Sequence, residues 1–302
     1  MTFSGQIREE ICRTLHDKER KYACLYGIFL YARTFSKEKI IISSESELLM
    51  KVLEDLVESV FKNNVKAKTV KENKIRKNIF SFIIDDEKQV DLISSTYKIN
   101  PENREIDNTN MINGGLAEFL AGVFLCCGSI VDPNKGYRLE FNTPTSKLCE
   151  SLKTVLNSFG FKCGTSERKN SFIIYIENSE NIEDLLTFMG AQQCTIDLIN
   201  IKIYKNFRNK TNRITNCDFA NLNKTVSASV EQIRIIKNIE KHMKLDALPK
   251  DLYEIAVLRL ENRDAGLAEL GEMLEKPIGK SGVSRRFQRL KAIEKSFQEN
   301  SK

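Results

Sequence analysis

The side chains best equipped for chemistry gather near the end of the chain. Between Lys276 and Lys295 stand seven basic residues, Lys276, Lys280, Arg285, Arg286, Arg289, Lys291 and Lys295, against one acid, Glu294. Apolar Val283, Phe287 and Leu290 recur at i, i+4 and i+7, the spacing of one helix face, which leaves Ser284, Arg285, Gln288 and Arg289 largely outward. Such groups donate to base edges or phosphates: arginine pairs bidentately with guanine, while Lys280, Ser281 and the free amides of a helix start suit a phosphate. The implied chemistry is recognition of double-stranded DNA; the alternative is a solvated helix in an all-α lobe. Elsewhere reactive residues are sparse. The eight cysteines (12, 24, 126, 127, 149, 163, 194 and 217) show no C-x-x-C spacing, and His16 and His242 are the only imidazoles. No zinc set is expected, and no other metal or cofactor. Most of the cysteines read as small buried apolar residues.

A chain of 302 residues, 41% hydrophobic and 29% charged, has length for two domains and is too apolar for general disorder. Its net charge of +6 does not make a polycation, so the position of the basic residues matters more than their sum. Residues 1–10 include Arg8, Glu9 and Glu10 where a secretory signal needs an apolar core, and no run approaches a membrane span. The expected location is the cytoplasm, at the nucleoid, with reduced thiols and no membrane partner.

The elements that position these groups begin with an internal repeat. Gly27 and Gly122, 95 residues apart, each sit in an apolar helical stretch, and similar features follow both. In the first half a strand at Ile40–Ser43 leads to an amphipathic helix carrying Leu48, Leu49, Val52, Leu53, Leu56, Val57, Val60 and Phe61. In the second, Tyr137–Phe141 leads to a helix carrying Leu148, Leu152, Val155, Leu156 and Phe159. Two further strands follow in each half, Val65–Val70 with Ile79–Ile84 and Phe161–Thr165 with Phe172–Ile176. Asp132–Gly136 reads as a turn, and Thr143-Pro144 as a helix start with threonine as cap. Two glycines at matching places in a repeat imply a seam where the two helices approach closely.

Residues 198–217 contain Lys202, Lys205, Arg208, Lys210 and Arg213 and no acid. This segment reads either as a solvated linker or helix face, or as a strip that neutralises phosphates between two DNA-bound modules. The expected domains are 1–197, with repeat halves at about 20–100 and 115–197, a basic linker at 198–218, and a helical domain at 219–302. The last should hold an amphipathic helix from Val226 to Met243 bearing Val230, Ile233, Ile236 and Ile239. Three helices follow it: Lys250–Leu260, a short one at Leu267–Leu274, and a serine-capped basic helix from Ser281. That succession fits a helix-turn-helix. Asn221 and Asn223 read first as caps, and Lys224 as a solvated side chain or a DNA backbone contact.

The stretch Leu120-Ala121-Gly122-Val123-Phe124-Leu125-Cys126-Cys127-Gly128 resembles the motif helix of the LAGLIDADG endonucleases, with a weaker echo at Leu25–Arg33. The resemblance implies an α+β pseudo-twofold domain of two αβαββα-type repeats. In those enzymes the eighth motif position carries a metal-binding aspartate; here it is Ala32 in the first half and Cys127 in the second, so no catalytic residue is expected. It also implies that Lys71, Lys74, Arg76 and Lys77, with Arg168 and Lys169, border a saddle-shaped sheet. The whole chain resembles the WhiA family, on the strings Phe124–Pro133 with Lys135–Glu140, Asp218–Thr225 and Lys280–Val283. That resemblance implies DNA binding without cleavage, and roles in transcription of sporulation genes or in cell division and chromosome segregation. Family members often carry Asn-His where this chain has Ser284-Arg285.

Three functions are compatible with this sequence. The first is a non-enzymatic DNA-binding regulator using the helix-turn-helix. The second is a division-machinery protein whose first domain docks other transcription or cell-division proteins. The third is a residual metal-dependent nuclease borrowing Asp85, Asp86 or Asp132.

Overall fold

Helix α1 (Phe3–Thr14) precedes two copies of one succession in the computed structural model, which describes residues 2–15, 18–74, 77–168 and 171–299. The first copy runs α2 (Lys18–Tyr31), β1 (Thr34–Phe35), β2 (Ile40–Ser44), α3 (Glu47–Phe61), β3 (Lys68–Lys74), β4 (Lys77–Ile84) and α4 (Glu87–Tyr97). The second runs α5 (Leu116–Cys127), β5 (Gly128–Ile130), β6 (Leu139–Thr143), α6 (Ser146–Ser158), β7 (Gly164–Arg168), β8 (Ser171–Ile176) and α7 (Ser179–Phe188). The sheets have matching antiparallel orders, β1-β2-β4-β3 and β5-β6-β8-β7. The first strand of each sheet, two or three residues long, is too short to show periodicity in the sequence.

The helices α2 and α5 form the seam. A Cβ added to Gly27 would lie 2.4 Å from the Phe119 carbonyl oxygen, and one added to Gly122 only 2.0 Å from that of Cys24. Backbone meets backbone there, and only glycine permits it. Around the seam Leu25, Phe29, Leu120 and Phe124 are fully buried with the inward residues of both sheets, Ile40, Ile42, Phe82 and Ile84 in one, Leu139, Phe141, Ile174 and Ile176 in the other. The helices covering the sheets start alike: Ser46 accepts from the Leu49 amide and Thr145 from the Leu148 amide. Thr145 is therefore the cap, not Thr143, whose hydroxyl is bonded to the Phe172 carbonyl within the sheet.

Helix α8 (Gln192–His242) is continuous for 51 residues. It takes in the basic segment and the stretch where caps were expected, so Asn221 and Asn223 are mid-helix and exposed. The sequence contains no glycine or proline between Gly190 and Pro249 to stop it. The compact units are Met1–Asn206 and Phe207–Lys302.

In the second unit α8 is followed by α9 (Lys250–Glu261), α10 (Leu267–Glu272) and α11 (Lys280–Glu299). Their core joins Ile235, Ile236 and Ile239 to Leu252, Ile255, Leu270, Leu274, Val283, Phe287 and Leu290. Ile236 and Ile239 of the expected α8 stripe are in this core, joined by Ile235, while Ile233 is half-buried and Val230 is 62% exposed. Beneath the short helices Arg259 is buried, giving hydrogen bonds to the carbonyls of Asn262, Arg263 and Ala265 at 3.2, 3.3 and 2.7 Å. It closes the α9–α10 loop, a role the helical periodicity of Leu252, Ile255 and Ala256 does not reveal. Among the described residues no helix is long and apolar enough to cross a membrane.

Candidate nucleic-acid interface

Burial of Val283, Phe287 and Leu290 fixes the rotation of α11. At about 100° per residue, Ser281, Arg285 and Gln288 then point most directly away from the core, and all three are exposed. Ser284 is half-buried beside them. Ser281 is inside the helix and does not cap it: the amides of Gly282 and Val283 return to the Gly279 carbonyl at 2.8 and 3.2 Å. That leaves the Lys280 and Ser281 amides at the helix start, next to the exposed Lys280 side chain.

The structure divides the basic residues of α11 into two groups that the sequence does not separate. Arg286 is tucked against α9, 3.6 Å from Glu254 and 3.2 Å from the Asp251 carbonyl oxygen. Arg289 donates to the Asp251 carboxylate, and Lys291 stands 3.8 Å from Glu231. Arg285 and Lys280 have no ion-pair partner among the described residues. At about 100° per residue, Arg286 and Lys291 lie 100° or more around the helix from Arg285, on opposite flanks facing α9 and α8, and Arg289 lies on the edge of the stripe nearest α9, a relation visible only once α9 and α8 are in place.

On α8 the expected backbone contacts also divide. Lys202 pairs with Glu183 at 2.9 Å; Lys205 donates to the Pro133 carbonyl at 3.1 Å and lies over the Tyr137 ring at 4.8 Å. Both are occupied within the first unit. Arg208, Lys210, Arg213 and Lys224 are exposed.

The sheet faces opposite the helices are not uniformly basic. In the first, Ile41 and Ile83 are half-buried beside Ser43, with Val70 42% exposed. In the second, Arg138 stacks 4.0 Å over Tyr175 and is neutralised by Glu140 and Glu177. Lys71, expected at the saddle edge, belongs to the helix side, 5.6 Å over the Phe80 ring. Arg168 is exposed at the end of β7. Arg76 and Lys169 lie outside the described residues, as do the side chains of Lys74 and Lys77.

The ends of the seam helices decide whether a metal fits there. Ala32 is buried and offers a methyl group. Cys127 offers a thiol that burial raises well above its ordinary pKa, and the adjoining Cys126 thiol is pushed up to about 12. Each helix end already has a cation. Arg104, itself 8% exposed, donates to the Leu30 and Ala32 carbonyls at 2.9 and 2.6 Å. Arg8 reaches from α1 to the Gly128 carbonyl and lies 5.8 Å over the Phe124 ring. Positive groups at helix C-termini complement the helix dipole, and a site built from two guanidiniums, a methyl and a neutral thiol does not suit Mg²⁺, which takes anionic oxygen ligands. The missing acids are legible in the sequence; the two arginines, which come from elements remote in the chain, carry no signal there.

Residues 116–208 match the WhiA LAGLIDADG-like domain, and residues 211–294 the WhiA C-terminal HTH domain. A protein named probable cell division protein WhiA from Clostridium perfringens (strain SM101 / Type A) is 36% identical, the match covering 97% of each chain. One of the same name from Clostridium novyi (strain NT) is 34% identical over 100% of both. Among solved structures, full-length DUF199/WhiA from Thermatoga maritima shares the fold, with a TM-score of 0.59 at 24% identity, over 98% of this chain and 99% of that one. With both domains matched and relatives aligned from end to end, the chain belongs to the WhiA family.

Proposed function

We propose that the chain is a non-enzymatic DNA-binding regulator whose helix α11 enters the major groove. Ser281, Ser284, Arg285 and Gln288 face base edges, Arg289 flanks them, and Lys280 with the first amides of the helix takes a phosphate. Arg208, Lys210, Arg213 and Lys224 supply further backbone contacts, while Lys202 and Lys205 contribute less because they already hold partners in the first unit. The observation that carries this reading is the exposed stripe Ser281, Arg285, Gln288 on a helix locked from behind by Val283, Phe287 and Leu290. The regulated genes belong to cell division, the role named in the relatives; sporulation control and chromosome segregation are the further roles we assign by family resemblance.

Binding of the full chain to genomic duplex fragments across a salt series, with and without Mg²⁺, tests the proposal, with cleavage scored in the same tubes. Salt-sensitive binding without cleavage is expected. Arg285→Ala should cost about 1–3 kcal/mol of sequence discrimination, and Lys280→Ala should weaken all sequences alike and flatten the salt dependence. Unchanged affinity in both variants would remove α11 from the interface. A second reading, in which the first unit docks another division protein, draws on the apolar outward face of its first sheet at Ile41, Val70 and Ile83. Rescue of a division defect by a chain carrying both Arg285→Ala and Lys280→Ala would favour it.

A further inference from the structure

We propose that Asp251 is a positioning residue for Arg289: it sets the direction in which that guanidinium meets DNA, and so governs discrimination between sequences. The inference rests on α11 being the reading helix.

Asp251 stands in the first turn of α9, and its two acceptors hold two arginines of α11. The carboxylate takes a hydrogen bond from Arg289, and the main-chain oxygen takes one from Arg286. The two arginines are held to different degrees. The Arg286 side chain is only 17% exposed and has Glu254 as a further partner; it ties α11 to α9. The Arg289 side chain is 55% exposed. A guanidinium has five donors in a rigid fork, and the contact with Asp251 uses one nitrogen, Nη1, leaving the rest of the fork available. With the buried direction of α11 set by Val283, Phe287 and Leu290, Arg289 lies on the shoulder of the exposed stripe, between α9 and the outermost residues Arg285 and Gln288.

Pairing with guanine requires both hydrogen bonds at once, so orientation matters more for it than for a phosphate contact. A long side chain anchored at one corner loses less conformational freedom when it makes that pair. The carboxylate also repels phosphates, which lowers attraction to any duplex regardless of sequence. Removing Asp251 therefore acts in opposite directions on the two quantities: weaker binding to the preferred sequence, equal or tighter binding to random DNA. Loss of fold stability would weaken both. An exposed ion pair contributes little to stability, so the two effects are separable.

The test uses the full chain and a preferred duplex selected by the wild-type protein from a random pool. The ratio of random-duplex Kd to preferred-duplex Kd is measured for wild type, Asp251→Asn, Asp251→Glu, Arg285→Ala, Arg289→Ala and the double variant Asp251→Asn with Arg289→Ala. Asp251→Asn should lower the ratio about tenfold without weakening random-duplex binding, and it should have no further effect once Arg289 is alanine. If Asp251→Asn lowers the melting temperature, Asp251→Glu, which keeps the charge at the start of α9 and displaces the carboxylate, should still lower the ratio. A fall with Arg289→Ala but none with either Asp251 variant would overturn this inference and leave α11 as the reader. An unchanged ratio in Arg289→Ala and Arg285→Ala, or a pool that yields no preferred sequence, would overturn the reading helix and this inference with it.

Discussion

Gly122→Ala tests the seam directly. The added Cβ would meet the Cys24 carbonyl oxygen at 2.0 Å and its carbonyl carbon at 2.9 Å, both main-chain atoms of a buried helix that cannot swing aside. A relaxed carbon–oxygen contact is about 3.3 Å, so α2 and α5 must separate by roughly 1 Å. A gap of that size forfeits up to about half of each dispersion contact across it. Overpacking of this kind costs about 1–3 kcal/mol, and a clash with main chain belongs at the upper end. Alanine offsets about 1 kcal/mol through its helix propensity. The net expectation is a loss of about 2 kcal/mol, or a fall of roughly 4–8 °C in the melting temperature of a unit this size. Circular dichroism of the full chain, following the transition of the first unit, measures it. Gly136→Ala is the control: nothing lies within 4 Å of its added Cβ, so stability should hold or rise slightly. A Gly122→Ala protein as stable as wild type would refute close main-chain approach as the reason for glycine there.

Ala32→Asp combined with Cys127→Asp should not restore Mg²⁺-dependent nicking of supercoiled plasmid, because the new carboxylates would pair with Arg104 and Arg8; nicking that disappears on chelation would contradict this. Burial pushes the thiols of Cys12 and Cys126 up to about 12 from an ordinary 9.0. The folded chain then keeps protons that the unfolded chain releases, so stability should fall from about pH 9 towards pH 12. Melting temperatures from pH 8 to 10.5 should decline less steeply in Cys12→Ala; parallel curves would exclude the linkage. Arg259→Met removes the donor shared by three loop carbonyls and should cost the second unit about 3 kcal/mol, read by denaturant unfolding. Arg259→Lys should recover little of that loss, since an ammonium lacks the planar fork.

The sequence by itself determined the duplication, the glycine seam, the lost carboxylates and the inward face of α11, because each is a matter of residue type at a fixed spacing along one helix or strand. Val283, Phe287 and Leu290 bury one side of their helix whatever packs on it, and the methyl side chain of Ala32 offers no metal ligand in any fold. Element ends were less legible. The start of α6 moved from Thr143 to Thr145 because the Thr143 hydroxyl bonds across the sheet, and the expected linker became part of α8 because nothing in residues 192–242 interrupts a helix.

What only the tertiary structure decided is which charges are spent. Arg285 and Arg289 look alike in the sequence, four residues apart on one basic helix, yet Asp251 holds the second and not the first. Lys202 and Lys205 look like the rest of their strip, yet Glu183 and Pro133 hold them. Arg8 and Arg104 lie 120 and 72 residues from the carbonyls of Gly128 and Ala32 that they cap, and no periodicity links such positions. Burial follows from the local pattern of apolar residues; an ion pair depends on where a second element places its carboxylate or carbonyl, and that is fixed only by packing.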